Sequence, residues 1–426
     1  MRIKSYSIEK LFNTFSYTFS FEERGNVIVV TGPNGYGKTT SLRILHELSR
    51  RNYYFFYQLP FDEIQVEFDS DQYLMVTSAK DLRANQKTNE DFDVWDHKTV
   101  HFLWAKTDGT VLSSFEITDA DVTMFHMLYY EQCKNRGKIG EPIPLEEYLL
   151  QHPEIYDRVL HKQPHYSKFK VYVEQLSVLY VPSDRIIDKE KGGTSTIIEI
   201  ASALSEKMQE IREKYLLSLS RSRRQMIDTL LGHPEAITAA EYNFKREKWL
   251  PRVKNLHEWG LIDFNTIKEF RKEDDVVLTI YMRELEETLN ECAPIYKRLN
   301  LFASKIRDKE FTNKEISVKV QKGFEARLAS GEELELTKLS SGEQNEIILL
   351  YRLIFDTPKG CLVLIDEPEL SLHLSWIRGM LRDYKDIAGI TDSQYLIATH
   401  SAAFISGEWD LTYDLFENDE ESADEE

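Results

Sequence analysis

Cysteine is scarce in this 426-residue chain: three occur, Cys133, Cys292 and Cys361, far apart and without metal-ligand spacing. That excludes a disulfide framework, and reduced thiols in a cytoplasmic setting are expected. No apolar run approaches the ~20 residues that cross a bilayer, so no membrane span or membrane partner is expected. The opening MRIKSYSIEKLF carries Lys4, Glu9 and Lys10 among its apolar residues and does not read as a signal peptide. Positive charge is also short, with 53 basic against 72 acidic residues and a net charge of −19. A globally basic nucleic-acid footprint is thereby excluded, while local patches stay open. Eight acids and no base fall in Asp414–Glu426, which reads as a solvated tail. What the chain does have is 42% hydrophobic residues, enough for a substantial core.

Three of only 18 glycines crowd into GPNGYGKTT, Gly32 to Thr40. The β-branched run NVIVV (Asn26–Val30) precedes it, and Leu42, Ile44, Leu45 and Leu48 follow at helical spacing. Strand, glycine-rich turn and helix is the context that makes a phosphate-binding loop credible. Gly32, Gly35 and Gly37 let the backbone turn so that N–H groups and the helix start face phosphate oxygens. Asn34, Gly35, Gly37, Lys38, Thr39 and Thr40 form the expected nucleotide-binding set, Lys38 reaching the β- and γ-phosphates and Thr39 binding Mg2+.

The complementary acids lie near the other end. In GCLVLIDEPELSLH an apolar strand, Cys361–Ile365, runs into Asp366 and Glu367. Carboxylates at the C-terminal end of a buried parallel strand stand where such sheets bind ligands. Asp366 is expected to hold Mg2+ through water, and Glu367 to polarise the attacking water. A further strand, Tyr395–Ala398, ends in Thr399, His400 and Ser401, and His400 can sense a γ-phosphate or simply be a surface histidine at a strand end. KLSSGEQNEIILLYRLIF places Ser340, Ser341 and Gly342 before a helix, a second candidate anion-binding helix start. Two chains facing head to tail could bind each nucleotide with one chain's loop and the other's Ser340 and Gly342.

The ordered motifs resemble the ABC-type ATPases, in the branch shared by chromosome-maintenance and repair ATPases and the overcoming-lysogenisation-defect proteins. LSSGEQ resembles that branch's signature, LIDEPELSLH its Walker B with D-loop, and ATHS its switch histidine; the likeness covers about the first 50 residues and the last 120. It implies an α/β P-loop ATPase head with an inserted helical arm, ATP and Mg2+ as cofactors, and Glu367 and His400 as catalytic residues. It also implies that Ser340 and Gly342 touch the γ-phosphate across a dimer and that Ser371 to His373 form the subunit-crossing loop. Ser-Ser-Gly-Glu and His373 depart from the transporter pattern. No Q-loop glutamine follows LSVLYVPSDRI, where Arg185 either takes over part of that role or pairs with an acid.

The sequence between Thr39 and Ser340 is far longer than a compact head requires. The expected division is 1–185 for the first part of the head with an insertion near 80–170, 186–305 for the arm, 306–413 for the rest of the head, and 414–426 for the tail. Glu90–Asp96 reads as a polar turn, Asp108–Gly109 as a hairpin, and 120–165 as helices broken at Gly137, Gly140, Pro142, Pro144 and Pro153. Apolar residues recur from Ile197 to Leu219 and from Leu278 to Leu299, which suits two antiparallel helices of about 25 to 35 residues around a small tip. They form either a protruding arm or a globular lid. Arg221, Arg223, Arg224 and KREKWLPRVK around Trp249 could bind a phosphate backbone or be a solvated face.

No nuclease or transferase constellation is visible. The expected function is an ATP-binding and hydrolysing switch that assembles as a homodimer or higher even-numbered oligomer. Its effector is expected to be a separate protein, a nuclease, as in the ATPase subunits of bacterial antiphage systems such as Septu and PARIS that the chain resembles. The alternative is a repair or recombination ATPase that clamps DNA directly.

Overall fold

The computed structural model describes residues 1–82, 96–135, 143–183, 195–232, 235–309, 311–370 and 374–417. Arg185, Gly137, Gly140, Pro142, Ser371–His373, the acidic end of the tail and all of Glu90–Asp96 but its last residue lie outside the described residues, as do the side chains of Arg221, Arg223 and Arg224.

In chain order come β1 (Ile3–Leu11), β2 (Phe15–Ser20), α1 (Phe21–Arg24), β3 (Val27–Thr31), α2 (Lys38–Ser49), α3 (Tyr53–Gln58), β4 (Glu63–Phe68) and β5 (Gln72–Leu82). Next are β6 (Asp96–Lys106), β7 (Val111–Thr118), α4 (Asp119–Asn135), α5 (Leu145–Gln151), α6 (Glu154–Leu160), α7 (Tyr166–Val173) and β8 (Val178–Val181). Then follow α8 (Thr196–Leu231), α9 (Ala239–Glu258), α10 (Asp275–Glu291), α11 (Ala293–Asp308), β9 (Lys314–Lys319), β10 (Gly323–Leu328), β11 (Glu333–Leu334) and α12 (Ser341–Tyr351). The chain ends with β12 (Leu362–Asp366), α13 (Leu374–Thr391), β13 (Gln394–Ala398), α14 (Ala402–Ile405) and β14 (Thr412–Asp414). Two compact units result: Met1–Asp184 with Thr357–Glu426, and Arg185–Asp356. Among the described residues no helix is long and apolar enough to cross a membrane.

The first unit is an α/β fold built on a five-stranded parallel sheet, order β14-β3-β13-β12-β8. Its central strands are buried along nearly their whole length, VIVV of β3, LVLID of β12 and QYLIA of β13. Such runs suit strands covered on both faces, and β-branched side chains fill the space between sheet and helices. The second sheet is antiparallel, order β2-β1-β4-β5-β6-β7, and β4 alternates half-buried and buried as a one-sided strand does. The turn at Asp108–Gly109 joins β6 to β7, and α5 and α6 begin directly after Pro144 and Pro153. Tyr53 anchors that layer, its ring edge-on to Phe102, Phe115 and Tyr156 at 5.2, 4.9 and 5.3 Å.

The second unit differs in part from the expected helical pair. Helix α8 runs for 36 residues, about 54 Å at 1.5 Å per residue. The other expected helix is two, α10 and α11, broken at Cys292 with Pro294 in the first turn of α11. Proline lacks the N–H that a continuous helix needs there and suits a first turn instead. The expected small tip contains α9, 20 residues long with Pro251 inside it, capped by the Thr238 hydroxyl accepting from the Glu241 N–H. Residues 306–356, expected with the ATPase head, cluster with these helices. Two contacts tie the segment to them: the Val320 N–H donates to Trp259 O at 2.8 Å, and the Ser205 hydroxyl donates to Val320 O at 2.8 Å. Within the segment, Lys309 and Glu346 pair at 2.8 Å while 4% and 2% exposed.

Gly323 opens β10 with φ 71°, and an added Cβ would overlap the Ala201 carbonyl oxygen of α8. Gly323→Ala is expected to destabilise the second unit by about 3 kcal/mol or more, since backbone must shift. Gly331→Ala, at φ 88° with open space around it, is expected to cost only about 1–2 kcal/mol. Urea unfolding of the two variants measures the contrast.

Candidate nucleotide-binding site

The loop from Gly32 to Gly37 leads from the end of β3 into α2, whose N-cap, Gly37, makes no side-chain capping bond and whose first turn holds no acid. The first N–H groups of a helix have no intrahelical acceptor, so an uncapped, acid-free start is a standing site for an anion. Gly37 sits at φ 84°, a backbone conformation strained for any other residue, and a Cβ there would lie 2.8 Å from Leu11 Cδ2, whose side chain would have to shift. Asn34 and Gly35 are exposed at the tip, and Thr40 is half-buried in the first turn. Lys38 folds back, its ammonium donating to Gly32 O at 2.8 Å and Pro33 O at 2.9 Å. Burial lowers its pKa from the ordinary value, and the carboxylates of Glu367, Asp366, Asp414 and Glu369 partly offset this.

The parallel sheet brings the second motif to the same edge. Asp366, the last residue of β12 and 2% exposed, accepts the Thr39 hydroxyl at 3.1 and 3.0 Å on its two oxygens. Glu367 turns out of the strand at φ 48°, its N–H donating to Ala398 O at 2.8 Å. Its carboxylate meets His400 Nε2 at 3.3 Å. Hydroxyl, buried carboxylate and a carboxylate–imidazole pair thus surround the loop, and a hydroxyl beside a carboxylate is the oxygen donor chemistry that suits Mg2+. A cleft of about 390 Å3 lined by Gly32, Pro33, His400, Trp409 and Phe416 opens beside them.

One residue went unread in the sequence. Glu369 accepts the Thr399 hydroxyl at 2.5 Å and the His400 N–H at 3.1 Å through a single oxygen. The available signal was a third acid two places after Glu367, but nothing in the linear pattern says that it bridges to another strand.

Ser340 and Gly342 belong to the second unit, where Ser340 is the N-cap of α12 and Ser340 and Ser341 are exposed. This helix start differs from that of α2. Ser340 Oγ accepts the Glu343 N–H at 3.3 Å and Glu343 accepts the Ser340 N–H at 2.7 Å, a reciprocal capping box. Lys314 holds both Glu343 oxygens at 2.8 Å. Burial pushes the Glu343 carboxyl up, but Lys314 and the Ser340 N–H outweigh it and leave the group below its ordinary value. This start therefore carries its own anion, neutralised by a lysine, while Ser340 Oγ, which accepts from the Glu343 N–H, keeps its hydroxyl proton.

The basic stretch KREKWLPRVK is largely spent inside its own unit. Lys245 pairs with Glu241 at 3.1 Å and Glu286 at 3.7 Å, and Arg246 with Glu269 at 3.8 Å. Arg252 donates to Leu289 O and lies 4.8 Å from the Tyr296 ring centroid. Lys248 and Lys254 are exposed.

The AAA ATPase domain family model matches residues 1–405, and the chain belongs to that family. It is an ATPase-class, nucleotide-binding α/β protein. Among solved structures it is similar to the Pyrococcus furiosus Smc head domain with an extended coiled coil bound to the C-terminal domain of ScpA, at 13% identity and TM-score 0.36 over 95% of this chain and 91% of that one. An Smc head bound to the C-winged helix domain of ScpA (12%, TM-score 0.33) and the Smc head domain of Thermotoga maritima (12%, TM-score 0.32) give the same coverage. No curated protein matches the chain.

Burial, opposed by the Thr39 hydrogen bond, raises the Asp366 carboxyl above its ordinary value. A raised carboxyl pKa means that the folded state holds the proton more tightly than the unfolded chain, so stability is lost as pH rises through that folded value. Asp366→Asn keeps an oxygen for the Thr39 hydroxyl and removes the charge. The variant is expected to melt above the parent at neutral pH without nucleotide. The gap should close as pH falls to where Asp366 protonates, which paired melting curves across pH measure.

Proposed function

We propose that the chain is an ATP-binding and hydrolysing switch subunit of a bacterial antiphage defence complex. The observation that carries the ATPase part is the convergence of an uncapped helix start, the Thr39–Asp366 contact and the Glu367–His400 pair at one sheet edge. Lys38 and the N–H groups of the loop would hold the β- and γ-phosphates. Thr39 and Asp366 would hold Mg2+, which when bound neutralises charge on the phosphates. Glu367 orients and polarises the attacking water, and His400, held against Glu367, contacts the γ-phosphate side. The outward-facing Ser340 hydroxyl and the Gly342 backbone would complete the site of a second copy, making an ATP-sandwich dimer.

The defence role rests on the motif resemblance to ATPase subunits such as those of Septu and PARIS. The internal pairing of Lys245, Arg246 and Arg252 takes charge from the strip that direct DNA clamping would use, and the separate nuclease effector rests on the resemblance. In this reading, sandwich formation and hydrolysis alternately hold and release the effector.

Glu367→Gln is expected to lower turnover about 10²-fold or more while still binding ATP, and to accumulate even-numbered assemblies by mass photometry. Lys38→Ala and Gly342→Asp should each be inactive, yet recover part of the phosphate release when mixed. A mixed dimer then contains one site with an intact loop and an intact signature turn. No recovery on mixing overturns the shared site. Assembly that requires duplex DNA favours the repair clamp.

A further inference from the structure

We propose that Glu369 is a positioning residue, which fixes the backbone of His400 so that its imidazole meets Glu367. The inference rests on the ATPase reading above and adds a residue to it. Glu369 follows Glu367 by one buried proline, Pro368, so the turn that aims Glu367 also aims Glu369. Its Oε1 takes two donors from the end of β13, the Thr399 hydroxyl at 2.5 Å and the His400 N–H at 3.1 Å. Thr399 is itself fully buried and fixed to the loop-bearing strand, its N–H donating to Val30 O at 3.0 Å. Glu367 closes the circuit by donating its N–H to Ala398 O. The ends of β3, β12 and β13 are therefore joined at one residue pair, Thr399 and Glu369.

Physical cost points the same way. Glu369 Oε2 is buried with no hydrogen-bond partner among the described residues. A half-satisfied carboxylate lowers stability, so a clamp that only held the fold together would be served as well by a neutral group. The charge does strengthen the bonds it makes: an ionised acceptor holds N–H and O–H donors about twice as firmly as a neutral one. Removing it leaves the His400 backbone free to drift, and a displacement of about 1 Å at a reacting group can cost ~10²-fold in rate.

The test uses the full chain with Glu369→Ala, Thr399→Val, Thr399→Ser, His400→Ala and the Glu369→Ala/His400→Ala double variant. Phosphate release and fluorescent-nucleotide binding are measured for each, with melting temperature as the check on folding. The expected result is a kcat about 10- to 100-fold lower for Glu369→Ala with KM and nucleotide affinity within about threefold. Thr399→Val should fall in the same direction, Thr399→Ser should recover most of the loss, and the double variant should be no slower than His400→Ala alone. Wild-type kcat in both Glu369→Ala and Thr399→Val, or losses that multiply in the double variant, overturns the proposal. If Glu369→Ala does not fold, the Thr399→Val and Thr399→Ser pair decides it. Phosphate release that Lys38→Ala leaves intact overturns the ATPase reading as well, which separates the two failures.

Discussion

The Thr39 hydroxyl meets the Asp366 carboxylate across 327 residues of chain, and the rest of the site depends on that contact being possible. It is possible because β3 and β12 lie in one parallel sheet with β13 between them, which ends all three strands at the same edge. A parallel arrangement needs long crossovers, and here the crossovers carry most of the molecule. The buried charge at Asp366 is costly, as its raised carboxyl indicates. A fold that keeps an ionisable group at the end of an otherwise apolar strand is trading stability for a fixed donor position.

The two helix starts illustrate opposite solutions to one problem. Every helix begins with N–H groups that lack partners. In α2 nothing from its own side chains meets them, and the adjacent lysine leans on loop carbonyls, so the positive end stays available. In α12 the capping box meets them, and Lys314 cancels the charge that the box brings. The first leaves its positive end uncapped. The second presents a preorganised hydroxyl turn whose orientation is set by neighbours within its unit. Glu346, one turn further along the same helix, is held by the buried Lys309, so Lys309 just after α11 and Lys314 at the start of β9 fix one face of α12.

Much of the site was legible in the linear sequence because its parts are local. A β-branched run into a glycine turn, an apolar run into two acids, and an apolar run into a histidine each state their own secondary structure and their own strand end. Lys38, Thr39, Asp366, Glu367 and His400 could be named without coordinates. The hairpin at Asp108–Gly109 and the helix starts after Pro144 and Pro153 were legible for the same reason, since turn chemistry is decided within a few residues. The second unit was less so. Periodicity cannot distinguish one long helix from α10 and α11, whose apolar faces continue across the break at Cys292, and a proline-containing segment such as α9 reads as a tip.

The sequence by itself determined the class of chemistry: a phosphate loop, paired acids after a buried strand, a strand-end histidine and a serine-glycine helix start, in that setting an ATPase. Only the tertiary structure decided which groups meet. It joined Thr39 to Asp366 and His400 to Glu367, exposed Glu369 as the bridge to Thr399, and drew residues 306–356 into the helical unit. The physical reason is range. Backbone preference and hydrophobic period act over a few residues, whereas a hydrogen bond between strand ends depends on sheet order and register, which long-range packing alone selects.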